Sequence, residues 1–474
     1  MAIRRAHNSV GGSSVVSGVF VLDHSHCVSD QRDAPESRAQ GVSAQRRWKM
    51  TSRKAGIHAA LTATVLWAFA LVVAFSGTSY RSFAGPLKGG DFVHFYTIGY
   101  LARTGAGPTI YDPAALHQAQ ARLVPESADL FYPAVYPPQT ALIFAPLSVW
   151  SYGTAALAWT CLTIVGYILV VWCAWRPVRA TLPSPAFVIA VAAAFPPFWQ
   201  LVLHGQTTIV VLAAFCLGWL ALEKGRPFLA GLAFGLLGVK PQFAIPLAVI
   251  ALLGRHWMMM SGALVSLTIQ GLGAWAILGS SAFEGFAHML QVVSTHADYL
   301  EPKPYQSHSL RAFMRILPEL WRFPAWVAAS SVVLWYTARV WTAAASLRAR
   351  LSIVILAAVL VNPHLVVYDV TLLALPLMWA WAWISEHESE LTTPYPFLVY
   401  GLFVTLLAPT ASVIGVQVSV LIMTSLFVMF TRTVLASSAT SPQLAGIGVV
   451  RYFSAARWAD YPAGDELAAH GESR

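Results

Sequence analysis

The stretch "TSRKAGIHAALTATVLWAFALVVAF" (residues 51–75) decides the fold class, because its apolar part is long enough to cross a bilayer. A transmembrane helix needs about 20 predominantly apolar residues, and the sequence predicts a span over residues 56–76. Arg53 and Lys54 precede this span, so the positive-inside rule puts its N-terminus in the cytoplasm.

Similar apolar runs recur along most of the 474 residues. The mean hydropathy is +0.60 and only 11% of residues are charged, against about 25% in soluble domains. The sequence therefore predicts an all-α polytopic membrane protein, a bundle of roughly 11–13 transmembrane helices with extracytoplasmic juxtamembrane helices. The basic residues lie mainly in the N-terminal tail and short loops, as the positive-inside rule requires, so the net charge of +9 does not indicate nucleic-acid binding.

The polar segments predict the domain organisation. Residues 1–49 are typical of a disordered cytoplasmic tail, and translation starting at Met50 is an alternative. Residues 50–434 form the predicted membrane domain, and residues 435–474 a polar cytoplasmic tail. Two external segments, 77–135 and 281–321, interrupt the apolar runs. Residues 136–175 must cross the membrane an odd number of times, although they contain one short and one full-length apolar run.

The first external segment contains the candidate base. In "GPLKGGDFVHFYTIGYLARTGAGPTIYDP" (85–113), helices are predicted over 91–103 and 113–123. Asp91 and His94 share a helix face because they are three residues apart, although Asp91 after two glycines is equally typical of a helix N-cap. Tyr111 and Asp112 follow, and "FYPAVYPP" (131–138) supplies Tyr136, which could stack on a sugar.

Three further polar motifs interrupt apolar runs at the same predicted membrane face. Because ionisable groups inside membrane segments are costly, they indicate function by default. Lys240 could have an anionic partner or snorkel to an interface, and Asp369 could pair with a neighbouring helix. The candidate substrate-binding residues of the motifs "LHGQTT", "GVKPQF" and "VNPHLVVYDV" are His204, Gln206, Lys240, Gln242, Asn362, His364 and Asp369.

This combination suits sugar transfer from a polyprenyl-phosphate donor to a hydroxyl acceptor. The phosphate is a good leaving group, so a single displacement needs one carboxylate as general base. A carboxylate pair, as in glycosidases, is not required. Cationic groups would stabilise charge on the phosphate. The external segments contain no DxD-type motif, so neither a metal ion nor another cofactor is expected.

The ordered motifs "GGDFVHFYTIGYLARTGAGPTIYDP", "YPPQTALIFAPLSV", "HGQTTIVVLAA" and "GVKPQFAIPLAVIALLGRHW" resemble glycosyltransferase family 87, of the GT-C superclass. The resemblance implies an inverting, metal-independent hexosyltransferase, with mannose from polyprenyl-phosphate mannose as the expected sugar. It implies that Asp91 is the base, that His364 meets the donor phosphate and that Lys240 matches the family lysine. The implied partners are a lipid or glycan acceptor and the lipids of the bacterial cytoplasmic membrane, with the active site on its extracytoplasmic face.

Three other functions remain open at this point, one of which is a non-catalytic scaffold that keeps the fold. A flippase for lipid-linked sugars, or another transporter, would also need charged groups inside a bundle. A ligase that moves a whole glycan from a polyprenyl diphosphate would need more external arginines, for which Arg311 and Arg315 are the candidates. His308, in the second external segment, is expected at the surface or in contact with substrate.

Overall fold

The computed structural model describes residues 52–77, 79–182, 184–295, 304–387, 390–407 and 410–439. The predicted tail 1–49 lies outside the described residues, as does the predicted C-terminal tail from residue 440 onward. Residues 435–439, which were assigned to that tail, continue the last helix.

Within these ranges the chain forms α-helices joined by short 3₁₀ turns, and no β-strand is present. The helices are α1 Ser52–Phe75, α2 Phe92–Arg103, α3 Pro113–Leu123, α4 Gln139–Phe144, α5 Tyr152–Trp175, α6 Pro185–Ala193, α7 Pro196–His204, α8 Thr208–Glu223, α9 Pro227–Gly235, α10 Ile245–Leu253, α11 Trp257–Leu278, α12 Ser280–Thr295, α13 Leu310–Phe313, α14 Glu319–Trp341, α15 Leu347–Leu360, α16 Ala374–Glu386, α17 Pro394–Leu407, α18 Thr410–Ile414 and α19 Val418–Ala439. The all-α prediction is confirmed, as are the two helices of the first external segment, α2 and α3.

Several helices are long and apolar enough to cross a membrane, so the chain is a polytopic membrane protein. Five described helical stretches meet this condition by length and composition, and six if the bent pair α6 and α7 is one span. The five are Ser52–Phe75, Tyr152–Val178, Trp257–Leu278, Val367–Glu386 and Val418–Ala439. Other apolar helices are shorter, so the count of 11–13 stays a prediction.

The outer helices expose large apolar side chains, as lipid-facing helices do. On α1, Val65 is 68% exposed and Phe75 is 85% exposed, and Leu264 on α11 is 66% exposed. Soluble monomers rarely expose a continuous apolar surface of this kind, whereas hydrocarbon solvates it without cost. These two helices therefore form part of the membrane-facing surface.

Arginine-rich loops gather at one end of the bundle, which we call the basic end. Trp341 at the end of α14 donates its indole N–H to Nε2 of His256 at 2.8 Å, next to Arg255. Trp379 of α16 donates to the carbonyl of Ala174 at 3.1 Å, next to Arg176. The predicted external segment 77–135 lies at the opposite end, which we call the site end: its Tyr80 adjoins Gly153 near the start of α5, and its Gly107 adjoins Leu278 at the end of α11.

The stretch 136–175 contains one helix of membrane-spanning length. Helix α4 has 6 residues, which is about 9 Å at 1.5 Å per residue and too short to cross. Gln139 at its start donates to the carbonyl of Gly238 at 2.9 Å, so α4 lies against the end of another helical segment. Helix α5, with 24 residues, is long enough to cross, which fits the predicted odd number of crossings.

Helices α9 and α11 pack closely through glycines. A Cβ added to Gly231 would lie 2.0 Å from the carbonyl oxygen of Met259, and one added to Gly262 would lie 2.1 Å from that of Phe228. Gly231 and Gly235 are four residues apart, the small-residue spacing that lets membrane helices approach each other. This contact holds the segment that ends at Lys240.

We expect Gly231→Ala to destabilise the protein by about 1–3 kcal/mol, because its methyl group must displace backbone atoms of α11. The measurement is the melting temperature of the purified protein in detergent. Gly271→Ala is the matched control, since a Cβ there meets nothing within 4 Å, and it should leave the melting temperature unchanged or slightly raised. Equal melting temperatures for the two variants would contradict the tight packing.

Candidate active site

Glycines bring the start of α2 against the end of α7. Gly205 ends α7 with a φ of +58°, in the left-handed region that glycine tolerates. A Cβ there would lie 2.6 Å from Cβ of Phe92, and one on Gly90 would lie 3.1 Å from Cα of His204. The motifs "GGD" (89–91) and "HGQ" (204–206) can therefore meet because each has a glycine at the contact, where a larger residue would clash.

This close approach joins Asp91 to Gln206. The Gln206 side-chain amide donates to Oδ2 of Asp91 at 2.6 Å. Asp91 is at the N-terminus of α2, but its side chain makes no capping hydrogen bond, so the capping alternative is wrong. Asp91 is partly exposed. No described residue forms a hydrogen bond with its Oδ1, so this oxygen is open to a ligand.

Asp112 caps the N-terminus of α3, the structural role that was the alternative for Asp91 at α2. Its Oδ1 accepts hydrogen bonds from the backbone N–H groups of Ala114 and Ala115, at 2.9 and 3.0 Å, and it caps α3. The side chain is exposed. These bonds account for Asp112 as a structural residue, and its predicted contact with substrate stays a prediction.

A hydrogen-bonded chain leads from Asp91 into the bundle. Tyr136 donates its hydroxyl to Oε1 of Gln206 at 2.9 Å, so Gln206 links the carboxylate with the phenol. Tyr111 donates to the backbone carbonyl of Tyr136 at 2.6 Å, which fixes the "VYPP" turn. Both tyrosines and Gln206 were predicted site residues, and the fold brings them together beside Asp91.

His94 is buried one turn after Asp91. It is 3% exposed, and neither ring nitrogen has a hydrogen-bond partner among the described residues. Its ring lies against Tyr136, with 6.1 Å between the centroids. Burial lowers the pKa of His94 to about 4, so the imidazole is neutral near pH 7 and does not supply positive charge.

Lys240 and Asp369 form a buried ion pair. Lys240 Nζ lies 2.7 Å from Oδ1 of Asp369, and the two side chains are 4% and 2% exposed. Thr208 donates its hydroxyl to the same carboxylate oxygen and lies 3.1 Å from Nζ. The rings of Tyr136 and Tyr368 flank the ammonium at 5.8 and 5.1 Å. The possibility that Lys240 pairs with a carboxylate is therefore realised.

The segment 361–366 turns the chain beside this pair. Asn362 is buried, and its side-chain oxygen accepts the backbone N–H of His364 at 2.9 Å. His364 is partly buried and faces a cavity. His204 lies nearby, with its Nδ1 2.9 Å from the Gln200 carbonyl and its ring 5.8 Å from that of Tyr368.

A cavity of about 460 Å³ adjoins these residues. Its polar lining contains the predicted residues Tyr136, Lys240, Gln242, His364 and Asp369, together with Arg311. Much of its apolar lining, which we call the apolar wall, comes from α12 and α14, namely Phe286, Met289, Leu290, Val293, Phe323 and Trp326. Asp91 does not line the cavity but reaches Tyr136 at its edge through Gln206.

The apolar face of α12 was not predicted from the sequence, although its pattern is present there. Phe286, Met289, Leu290 and Val293 have the spacing i, i+3, i+4 and i+7, which puts them on one helix face. They fall in the second predicted external segment, for which the sequence had drawn attention only to Arg311, Arg315 and His308. An apolar helix face in an external segment indicates a surface that covers something apolar.

The expected surface position of His308 is wrong. His308 is buried, with Nδ1 2.7 Å from the hydroxyl of Ser419, and its backbone N–H donates to the carbonyl of Leu365 at 2.9 Å. Gln417 donates to the carbonyl of Ser307 at 2.7 Å. These bonds fasten the segment before α13 to the turn 361–366, so His308 holds the loop rather than contacting solvent.

Comparison with known proteins yields one family match. Residues 134–363 match the family model of glycosyltransferase family 87, which confirms the resemblance. No curated protein and no solved structure was found to match the chain. The matched range includes Tyr136, Gln206 and Lys240 but ends one residue before His364, and Asp91 precedes it.

We expect Lys240→Met to lower the free energy of unfolding by about 3–5 kcal/mol, because it leaves the Asp369 carboxylate buried without its counter-ion. The double variant Lys240→Met/Asp369→Leu should recover most of this loss, since both charges are removed. Thermal unfolding of the purified variants in detergent tests both expectations. A single variant as stable as the unaltered protein would contradict the buried ion pair.

Proposed function

We propose that this chain, which carries a glycosyltransferase family 87 domain over residues 134–363, transfers a hexose from a polyprenyl-phosphate sugar to a hydroxyl group of a lipid or glycan. The family makes the chain a glycosyltransferase. Mannose is the proposed sugar, and the proposed reaction is an inverting single displacement with Asp91 as general base.

The observation that carries the proposal is the cavity next to Asp91. The apolar wall suits an isoprenoid tail, and the basic and hydrogen-bonding side chains of the lining suit a phosphate and a sugar. Ligand sites typically combine such apolar walls with a few convergent polar groups. The chain from Tyr136 through Gln206 to Asp91 starts at the edge of this cavity, so a sugar bound there would lie near the carboxylate.

Asp91 is a better base than Asp369. In Asp369, Oδ1 accepts from both Lys240 and Thr208, and Oδ2 lies 3.4 Å from the backbone nitrogen of Val366. The oxygens of this buried carboxylate are engaged by hydrogen bonds within the protein, which leaves few lone pairs for a substrate hydroxyl. Asp91 has one side-chain partner and is partly exposed, so it can accept the proton of an incoming hydroxyl.

The proposed reaction uses the residues of this chain as follows. The acceptor oxygen attacks the anomeric carbon while its proton passes to Asp91. The bond between that carbon and the phosphate oxygen breaks, and the phosphate leaves with the electron pair. A phosphate needs no general acid to leave. Gln206 holds Oδ2, which directs Oδ1 towards the acceptor. No metal ion takes part in the proposed reaction, consistent with the missing DxD-type motif.

The orientation follows from the charge of the loops. The basic end carries Arg176 and Arg255, and cytoplasmic loops carry the excess of Lys and Arg. The site end is therefore proposed to face the outside of a bacterial cytoplasmic membrane. A lipid donor held in the membrane and an acceptor arriving from outside would meet there.

We expect Asp91→Asn to reduce sugar transfer by about 10²–10⁴-fold, the usual contribution of a general base. The assay uses proteoliposomes with radiolabelled polyprenyl-phosphate mannose, total lipid extract as acceptor, and EDTA. Asp129→Asn is the matched control, because Asp129 is an exposed carboxylate of the same external segment, paired with Arg81. It should keep full activity.

Each other outcome of this assay changes one part of the proposal. Full activity of Asp91→Asn would remove Asp91 as the base. Loss of transfer with EDTA alone would show a metal requirement. If the unaltered protein moves the labelled lipid between leaflets without transferring its sugar, the protein is a transporter and the transferase proposal fails.

We expect Gln206→Leu to lower kcat by about 10–100-fold with little change in KM, because a hydrogen bond to a charged group contributes about 1.5–3 kcal/mol. Gln206 acts as a positioning residue through Asp91, so substrate binding should persist. Gln118→Leu, on the exposed face of α3, is the control. A rise in KM alone would instead indicate that Gln206 binds substrate directly.

A further inference from the structure

Two basic side chains line the cavity, Lys240 and Arg311, and they differ in whether a carboxylate neutralises their charge. Lys240 is matched by Asp369 at 2.7 Å and hydrogen-bonded to Thr208, so this pair adds no net charge. Breaking it would leave a carboxylate buried without a counter-ion, which is costly. Lys240 is therefore poorly placed to follow an incoming phosphate, although the sequence motif suggested that role.

Arg311 is the cation of this cavity whose charge is not matched. It lies on α13, is partly buried, and donates Nη1 to the backbone carbonyl of Pro363 at 2.8 Å. No carboxylate lies within ion-pair distance of it among the described residues. A guanidinium has five N–H donors, and this one bond fixes the group beside His364 while other donors remain for a ligand.

The apolar wall faces the same cavity. Phe286, Met289, Leu290 and Val293 form one face of α12, and Phe323 and Trp326 of α14 complete the wall. Phe323 is 67% exposed and Leu290 is 49% exposed, so the wall continues from the cavity to the outer surface. An anion-binding group and an open apolar wall in one cavity match a ligand with a charged head and a long hydrocarbon tail.

We propose that Arg311, not Lys240, binds the phosphate of the lipid-linked donor, and that the isoprenoid tail lies along the α12 and α14 wall. This inference rests on the proposed function. The planar fork of arginine binds two phosphate oxygens at once. It also follows the leaving group, because the phosphate gains charge as the bond to the sugar breaks.

The test measures binding without catalysis. Purified protein in detergent is titrated with a polyprenyl phosphate that carries no sugar, and the complex is quantified by native mass spectrometry. The neutral polyprenol and phosphatidylglycerol are titrated in parallel. The variants are Arg311→Gln and Arg311→Lys, with Arg322→Gln as control, because Arg322 is an exposed arginine on α14.

We expect Arg311→Gln to weaken polyprenyl phosphate binding by about 10–100-fold, as the loss of charge-assisted hydrogen bonds implies. Glutamine can still donate to Pro363, which preserves the local structure. Arg311→Lys should lose less affinity, because it keeps the charge and loses the fork. Arg322→Gln should bind as the unaltered protein does. Both lipids without an isoprenyl phosphate should bind more weakly.

Three results would overturn the inference. These are unchanged affinity in both Arg311 variants, equal affinity for polyprenol and polyprenyl phosphate, and equal affinity for phosphatidylglycerol, which would indicate a general anionic-lipid site. If Arg311→Gln melts at a lower temperature, Arg311→Lys decides alone, and no loss of affinity in that variant overturns the inference. Because the assay needs no transfer, its result is separable from that of Asp91→Asn.

Discussion

The site depends on the buried ion pair of Lys240 and Asp369. A single charge buried in so apolar a bundle would be too costly to keep. The helices must therefore pack so that the two side chains meet. Lys240 ends the segment of α9, and Asp369 lies in the 3₁₀ turn before α16. Their contact, with Thr208 at the start of α8, therefore fixes three elements of the site end relative to one another.

This constraint divides the charged residues by role. Asp369 is engaged by its partners, and Lys240 is neutralised by it. Only groups outside the pair remain available for chemistry. Asp91 has an open oxygen and partial exposure, and Arg311 has unmatched charge. These two residues come from the two predicted external segments, and in the proposed reaction both act on the same donor and acceptor. The ion pair thus holds these helix ends in place, and the groups proposed to react or to bind substrate lie around it.

The sequence predicted the features that depend on local pattern. The predicted span over 56–76 corresponds to α1, and the predicted helices over 91–103 and 113–123 correspond to α2 and α3. These predictions succeed because the length of an apolar run and the residues that end a helix are local properties of the sequence. It identified Lys240 and Asp369 as isolated charges but left their pairing open, since the two residues are 129 positions apart. The hydrogen bond that keeps Asp91 from capping α2, and the burial of His308, also depend on neighbours that only the fold provides.

Gly90 and Gly205 explain why the Asp91 carboxylate, at the start of α2, does not cap its own helix. A helix N-terminus attracts the side chain of its first residue to the free N–H groups, and this happens at Asp112. At Asp91 the close approach allowed by Gly90 and Gly205 offers a different donor, the amide of Gln206. That bond turns the carboxylate away from its own helix and towards Tyr136 at the cavity. A larger residue at either glycine would separate the two motifs and leave the carboxylate free to cap α2.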